Sequence, residues 1–334
     1  MIDSKTGWRA KPDQLDQTSA HGTPRRPSGS ASAFKPLVPG MRRLLFTAAV
    51  LVLLAGFQLF VFTGRTGTFF AWTIANPLAA AFLGAAYWAA VSIEALAGRQ
   101  RLWANARIAV PAVLTFTVLT LATTLMHLGQ FHLGARYATG TRILTVGWFA
   151  IYVLVPLLML IVLAVQARAP GADPPRSAGL PAWIYGGLAV QELVLLGFGV
   201  ALFAAPVHVA PLWPWKLTPL VAQATGAWLI SLGVAAVHAL LERDARRLRP
   251  AAVGYVLLAL LQSIALARYP NHFAWHSASG ITYLVFLAAM LLTGAVWLAR
   301  GRSRTESTGD NPADRPSADE TEDIRRVTSG TDGA

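Results

Sequence analysis

The sequence predicts an all-α polytopic membrane protein: eight transmembrane helices in a four-plus-four tandem pseudo-repeat, with both termini cytoplasmic. Three observations predict it. Only 13% of the 334 residues are charged, whereas 54% are hydrophobic; a soluble chain carries about a quarter charged residues. The charges are also pushed to the ends. Residues 1–43 hold 11 and residues 300–334 hold 14, leaving 19 for the 256 between, too few for a water-soluble fold. Finally, the second half of the chain repeats features of the first.

Eight apolar stretches reach, or nearly reach, the roughly 20 helical residues needed to cross a hydrocarbon core of about 30 Å. The first, Leu44–Thr63, follows Arg42 and Arg43. The second, Phe69–Gly98, carries Asn76-Pro77 and stops at Arg99. Ile108–His127 begins after Arg107, and Ile143–Gln166 after Arg142. Pro181–Ala205 follows a proline-rich connection. Leu217–Leu241 is the sixth, Ala251–Ala267 the seventh and shortest, and Ile281–Ala299 the eighth. Helix is required because an open strand leaves backbone amides unsatisfied in lipid. The Ala- and Leu-rich runs also lack the alternation of a membrane barrel.

The rest of the chain divides accordingly. Residues 1–41, rich in Pro and Ser, and 301–334, mixing acids with Ser, Thr and Pro, are predicted to be disordered cytoplasmic tails. Residues 42–168 form the first four-helix half, 169–180 a linker with Pro170, Pro174 and Pro175, and 181–300 the second half. The first apolar run begins too late for a signal peptide, and Met41 is an alternative start.

Basic residues set the orientation. With the N-terminus inside, 14 arginines flank spans on the cytoplasmic side, among them Arg43, Arg101, Arg107, Arg243 and Arg247. The outer side has five basic residues: Arg65, Arg136, Arg142, Lys216 and Arg268. This is the positive-inside bias, and it puts both termini in the cytoplasm. Trp103, Trp183 and Trp297 mark the inner boundary, and Trp72, Trp213, Trp215 and Trp275 the outer one. The net charge of +12 follows this topology and forms no aromatic-interleaved patch. The expected partner is therefore the lipid bilayer and not nucleic acid. The absence of cysteine excludes disulfides, thiol catalysis, iron–sulfur clusters and c-type haem attachment.

Sliding the second half over the first gives an offset near 141. Pro77-Leu78-x-Ala80-x-x-x-Gly84-Ala85 in span two matches Pro219-Leu220-x-Ala222-x-x-x-Gly226-Ala227 in span six. Gly56-Phe57 matches Gly197-Phe198, Pro111-Ala112 matches Pro250-Ala251, and His132 and Gly140 match His272 and Gly280. Duplicating an even number of helices leaves the halves parallel, about an axis along the membrane normal. Ala80/Gly84 and Ala222/Gly226 are small-x-x-x-small pairs that let helices approach closely. Two readings are open. Spans two and six pack tightly near the pseudo-axis, or their Pro/Gly segments mark a transporter's binding site. Against the second, Pro219 reads as an ordinary first-turn proline and Asn76 as a helix start.

Glu192 is the sharpest chemical candidate. It lies about eleven residues, or roughly 16 Å, into span five. An ionised carboxylate at that depth costs at least about 2.5 kcal/mol, so it is expected to face the bundle interior. It is either a proton exchanger or a neutral acid bonded to Gln58, Gln223 or Gln262. Glu94, one turn from Arg99 and Arg101, is expected to snorkel toward them.

Five of the seven histidines, His127, His132, His208, His272 and His276, fall on or beside outer loops that contain no Asp or Glu. With Arg136 and Arg142 they form a candidate outer-face cluster, suited to haem or a transition metal or to an anionic head group. The bland alternative is that each serves as an amphipathic interfacial ring. The spacings His127-x4-His132 and His272-x3-His276 are loose for zinc. No Ser-His-Asp set, nucleotide loop or HExxH occurs. The inner side offers only Asp173, Glu242 and Asp244 near the spans, so magnesium chemistry is not expected.

The runs FAWTIANPLAAAFLGAAYWAA (70–90), TLMHLGQFH (124–132) and LWPWKLTPLVAQATGAW (212–228) resemble those of uncharacterised multi-pass membrane proteins of the actinobacterial type. That resemblance implies a cell-membrane location and carries no activity or site residues. The four-plus-four plan is also similar to haem A synthase, in architecture alone. That family's haem histidines lie on even-numbered helices, whereas these cluster at the outer ends of odd ones, and its Glu-containing histidine motif is missing.

The leading expectation is a permease-like binding or transport protein with a site between two pseudo-symmetric halves. Glu192 is its buried acid, the His/Arg face is its mouth, and its ligand is small and anionic or amphipathic. The alternatives are a membrane redox or lipid-modifying enzyme using the outer histidines, and a non-catalytic scaffold.

Overall fold

The computed structural model describes residues 34–176, 179 and 181–307, with side chains as far as 299. Among the described residues the chain is helical, with isolated bridges but no strand. Eight helices are long and apolar enough to cross a membrane. They are α1 (Pro39–Val61), α2 (Pro77–Gly98), α3 (Ala109–Met126), α4 (Thr139–Arg168), α5 (Ala182–Ala204), α6 (Pro219–Glu242), α7 (Arg249–Arg268) and α8 (Ala278–Ser307). They run up and down. One end of the bundle gathers the arginines, and the other gathers the loops bearing His127, His132, His208, His272 and His276.

Each helix coincides with a predicted span, and the largest departure at a helix start is at α2. Residues 69–76 are apolar but not helical beyond Phe69; they form a loop held against the top of the bundle. The helix starts where local chemistry demands it. The Asn76 side chain accepts a hydrogen bond from the Leu78 N–H at 3.0 Å, and Pro77 occupies the first turn. Thr218 and Pro219 open α6 in the same way. Both prolines spare an amide that has no helical partner in any case, so neither interrupts its helix.

α2 and α6 form the middle of the bundle. Their apolar windows are 72% and 78% buried, against 22–39% for α1, α3, α4, α5 and α8. α2 packs on α1 and α7, while α6 packs on α5 and α3; α3 also meets α4, and α7 meets α8. The small-x-x-x-small faces therefore serve neighbours other than each other. A Cβ on Gly84 would lie 2.5 Å from the Phe60 backbone nitrogen of α1. One on Gly226 would lie 2.7 Å from the Gly199 carbonyl oxygen of α5. Around this centre α4, α5 and α8 leave Ile143, Ile161, Leu193, Val285 and Leu292 exposed, a surface suited to hydrocarbon.

The arginine end is more ordered than the predicted tail boundary implied. Residues 34–38 run across it: Leu37 N–H donates to the Arg101 carbonyl and Trp103 N–H to the Lys35 carbonyl. Gln166, fully buried at the end of α4, accepts from the Val38 N–H and donates to the Pro36 carbonyl, both at 2.9 Å. Gly171, at φ +110°, allows the linker to pass beside Lys35, where a Cβ would meet the Lys35 nitrogen at 2.6 Å. At the other end α8 extends beyond the predicted boundary to Ser307. The predicted tails otherwise fall at 1–33 and 308–334, outside the described residues.

Candidate functional site

The predicted outer-face histidines do not converge. His132 is buried, with Nδ1 3.0 Å from the Phe70 carbonyl and Nε2 3.0 Å from Thr73 Oγ1. The carbonyl can only accept, so Nδ1 carries the proton and Nε2 accepts from the hydroxyl. Both nitrogens are committed to pinning loop 70–73 to loop 131–132. His127 Nε2 lies 2.7 Å from Gln223 Oε1, whose amide in turn donates to the Phe203 carbonyl at 3.0 Å; this chain ties α3 to α6 and α5. His272 sits edge-on to Tyr269, and His208, His272 and His276 are exposed. Arg136 lies over Tyr137, and Arg142 is exposed. Arg268 donates to the Phe60 and Val61 carbonyls, closing the end of α1. Among the described residues no three His, Asp or Glu side chains are grouped to hold a metal ion.

Burial holds the His132 imidazole below its ordinary value of 6.5; the Phe70 carbonyl opposes this and Arg136 adds to it. The unfolded chain therefore binds a proton that the fold resists, and stability is full above about pH 6.5 and falls as the pH drops below it. Thermal unfolding in detergent should show that loss on acidification, and His132→Gln should flatten it.

Beneath the histidine end lies a cavity of about 310 Å³. Phe82 and Ala86 of α2 form one side, and α5, α6, α7 and α8 supply the rest, including Leu195, Leu232, Leu258 and Met290. Trp213 roofs it, packed against Phe198, Trp215 and Tyr283. The lining is apolar apart from a few groups. Two buried wall atoms, Gln262 Oε1 and Trp213 Nε1, have no hydrogen-bond partner; the Gln262 amide nitrogen donates to the Phe82 carbonyl. Val194, Leu212 and Thr282 are both lining and exposed, so the cavity opens sideways between α5 and α8.

Glu192 lies one helical turn from Leu195 toward the arginine end, and Tyr255 one turn from Leu258, so both sit below the cavity floor. Glu192 is 7% exposed. Neither of its oxygens has a hydrogen-bond partner, nor does the Tyr255 hydroxyl. Of the glutamines expected to satisfy it, Gln223 is engaged by His127 and Phe203 and the Gln262 amide nitrogen by Phe82, and neither these nor Gln58 bonds to it.

The sequence reading missed two features. Glu94 does not reach Arg99 or Arg101; it is 2% exposed and turned into the bundle. The other is an ion network at the arginine end. Arg107, from the α2–α3 loop, pairs with Asp173 of the linker and Glu242 of α6. Arg247 pairs with Glu242 at 2.8 Å and Asp244 at 3.3 Å and donates to the Pro174 carbonyl. Arg243, left-handed at φ 48°, ends α6 and turns the chain back so that Arg247 reaches Glu242. The Glu242 hydrogen bond, opposed by burial and joined by Asp173, pushes the Arg107 guanidinium above its already high value. Individual acids and arginines were visible in sequence, but their convergence depends on which loops the fold brings together. No protein-family model, curated protein or solved structure matches the chain.

Proposed function

We propose that the chain is a multi-pass protein of a bacterial cytoplasmic membrane, of permease type, that binds a neutral amphipathic molecule drawn from the lipid. The cavity between α2 and the second quartet carries this reading. Its volume falls at the lower end of the range for small-molecule sites, about 300–1,000 Å³. A lipid chain is already solvated by hydrocarbon, so transfer into the cavity brings little hydrophobic gain. Selectivity then comes from shape and from polar contacts. Gln262 Oε1 and Trp213 Nε1 favour a head group offering both a donor and an acceptor, such as a hydroxyl or an amide. The side opening between α5 and α8 supplies a route from the bilayer, and Glu192 is a buried acid directly below.

The contact pattern supports a duplicated quartet. Trp72 pairs with Phe131 as Trp215 pairs with Phe273. The His132 N–H donates to the Ala71 carbonyl as the Ala274 N–H donates to the Pro214 carbonyl. Gly84 meets Phe60 as Gly226 meets Phe203. On this register His132 corresponds to Ala274 and not to His272. The arginine end faces the cytoplasm by the positive-inside rule.

The alternative, an enzyme using the histidines as haem or metal ligands, finds less support, because His132 has both ring nitrogens engaged and the other four are dispersed. The test of the main reading is to extract bound lipid from protein purified in mild detergent. Wild type should carry a defined neutral species, and Leu195→Trp, which fills the cavity, should lose it while remaining monodisperse. Equal lipid content and composition in the two proteins would refute the site.

A further inference from the structure

We infer that Glu94, with the hydroxyl pair of Tyr87 and Tyr152, forms a proton-exchanging site inside the first quartet, separate from the apolar cavity. Glu94 and Tyr87 lie on α2 and Tyr152 on α4. The two phenol oxygens are 2.7 Å apart, and Glu94 Oε2 is buried without a hydrogen-bond partner. All three residues border a small cavity of about 60 Å³, with Thr117 of α3 as its other hydroxyl. A water needs about 10–15 Å³ of such space and two or more polar partners, so the cavity accommodates water between carboxyl and phenols.

A proton fits this site better than a metal ion. No ion pair to Glu94 exists among the described residues, and an ionised carboxylate buried without a partner is disfavoured. The phenols are already committed to each other, and the Thr117 hydroxyl donates to the Val113 and Leu114 carbonyls. Too few free oxygens remain for the six or so ligands that a hard cation takes. A protonated carboxyl, by contrast, needs one acceptor.

The surroundings give the site a direction. Glu94 is four residues, about 6 Å, from the end of α2 at the arginine end. On the opposite side the rings of Phe116, Trp148 and Trp228 close over the phenols. Phe116 and Trp228 are 3.9 Å apart, and Trp148 donates to Thr124 at 3.1 Å. α1 contributes Ala48, Leu51, Val52 and Ala55 to the cavity, and α7 meets this part of α2 through Gly254 against Ile93; neither adds a titratable group there. The charged residues near the end of α2 are Arg42, which donates to the Gln100 carbonyl, Arg99 and Arg101. The site therefore lies nearer the arginine end, and aromatic rings seal it toward the other.

The test treats the full chain in lipid nanodiscs with dicyclohexylcarbodiimide, an apolar reagent for protonated carboxyls. The carboxyl oxygen bonds to the central carbon and its proton moves to a nitrogen. An acyl shift then gives a stable N-acylurea, with nothing leaving. Peptide mapping of wild type should find the label on Glu94, decreasing as the pH is raised from about 5 to about 9, and unchanged when sodium replaces choline. Glu94→Gln should lose that label and Glu192→Gln should keep it. No label on Glu94 in wild type, pH-independent labelling, or protection by sodium would each overturn the proposal.

Discussion

Gly84→Leu and Gly226→Leu should each abolish recovery of monodisperse protein from membranes. At Gly84 even the first added carbon would lie 2.5 Å from the Phe60 nitrogen and 2.9 Å from the Leu59 carbonyl carbon. At Gly226 it would meet the Gly199 oxygen at 2.7 Å and the Phe203 nitrogen at 2.9 Å. These are backbone atoms of α1 and α5, so no rotamer change relieves the overlap; two whole helices must separate. Overpacking among side chains costs about 1–3 kcal/mol, and forcing backbones apart should cost at least the upper figure. In lipid, helix association rests on close packing because hydrocarbon competes equally for apolar side chains. Size-exclusion profiles of Gly147→Leu and Gly186→Leu, where nothing lies within 4 Å of an added Cβ, should match wild type. If Gly84→Leu ran like these controls, the packing of α2 on α1 would be wrong.

Glu242→Ala should destabilise the fold by about 3 kcal/mol, the lower end of the range for breaking a buried ion pair. The carboxylate is 5% exposed and serves both Arg107 and Arg247, the latter 2% exposed. Its loss leaves Arg247 with Asp244, the Pro174 carbonyl and a longer contact to Asp173 at 3.9 Å, and Arg107 with Asp173. Those remaining partners keep the cost from the top of the range. Because the network ties the α2–α3 loop, the linker and the α6–α7 loop together, the Lys35 amide, which donates to the Ala172 carbonyl of the linker, should also lose hydrogen-exchange protection. Thermal unfolding in detergent reads the first effect and exchange mass spectrometry the second.

The eight helices were legible because hydropathy over some twenty residues is a long, redundant signal. Their ends were less so. Residues 69–76 are apolar enough to extend the second span, but Asn76 and Pro77 fix the helix start by hydrogen bonding and ring geometry, which an averaged window does not register. The small faces of Gly84 and Gly226 were visible as close-packing surfaces, whereas their partners, α1 and α5, were not, since a small residue says how near a neighbour comes and not which neighbour it is. Glu192 was singled out as an acid deep in a span, and it lies in the middle of α5 at 7% exposure. Its lack of a partner, the adjoining cavity, and the inward turn of Glu94 depend on side-chain direction and on the shape left between helices, and neither has a sequence signature. The histidines were misleading as a group: proximity in loops suggested a cluster, but three are exposed and two act as separate pins.

Helix α3, among the first four, is seated against α6, and α7, among the last four, against α2. The halves are thus dovetailed instead of standing side by side, and neither owns a complete interior. Rigid rocking of one half against the other would tear both seams at once. The edge beside the cavity opening is different: α5 is clamped to α6 through Gly226, but α5 and α8 touch each other only lightly, so α8 is the helix that can shift there without parting the central pair.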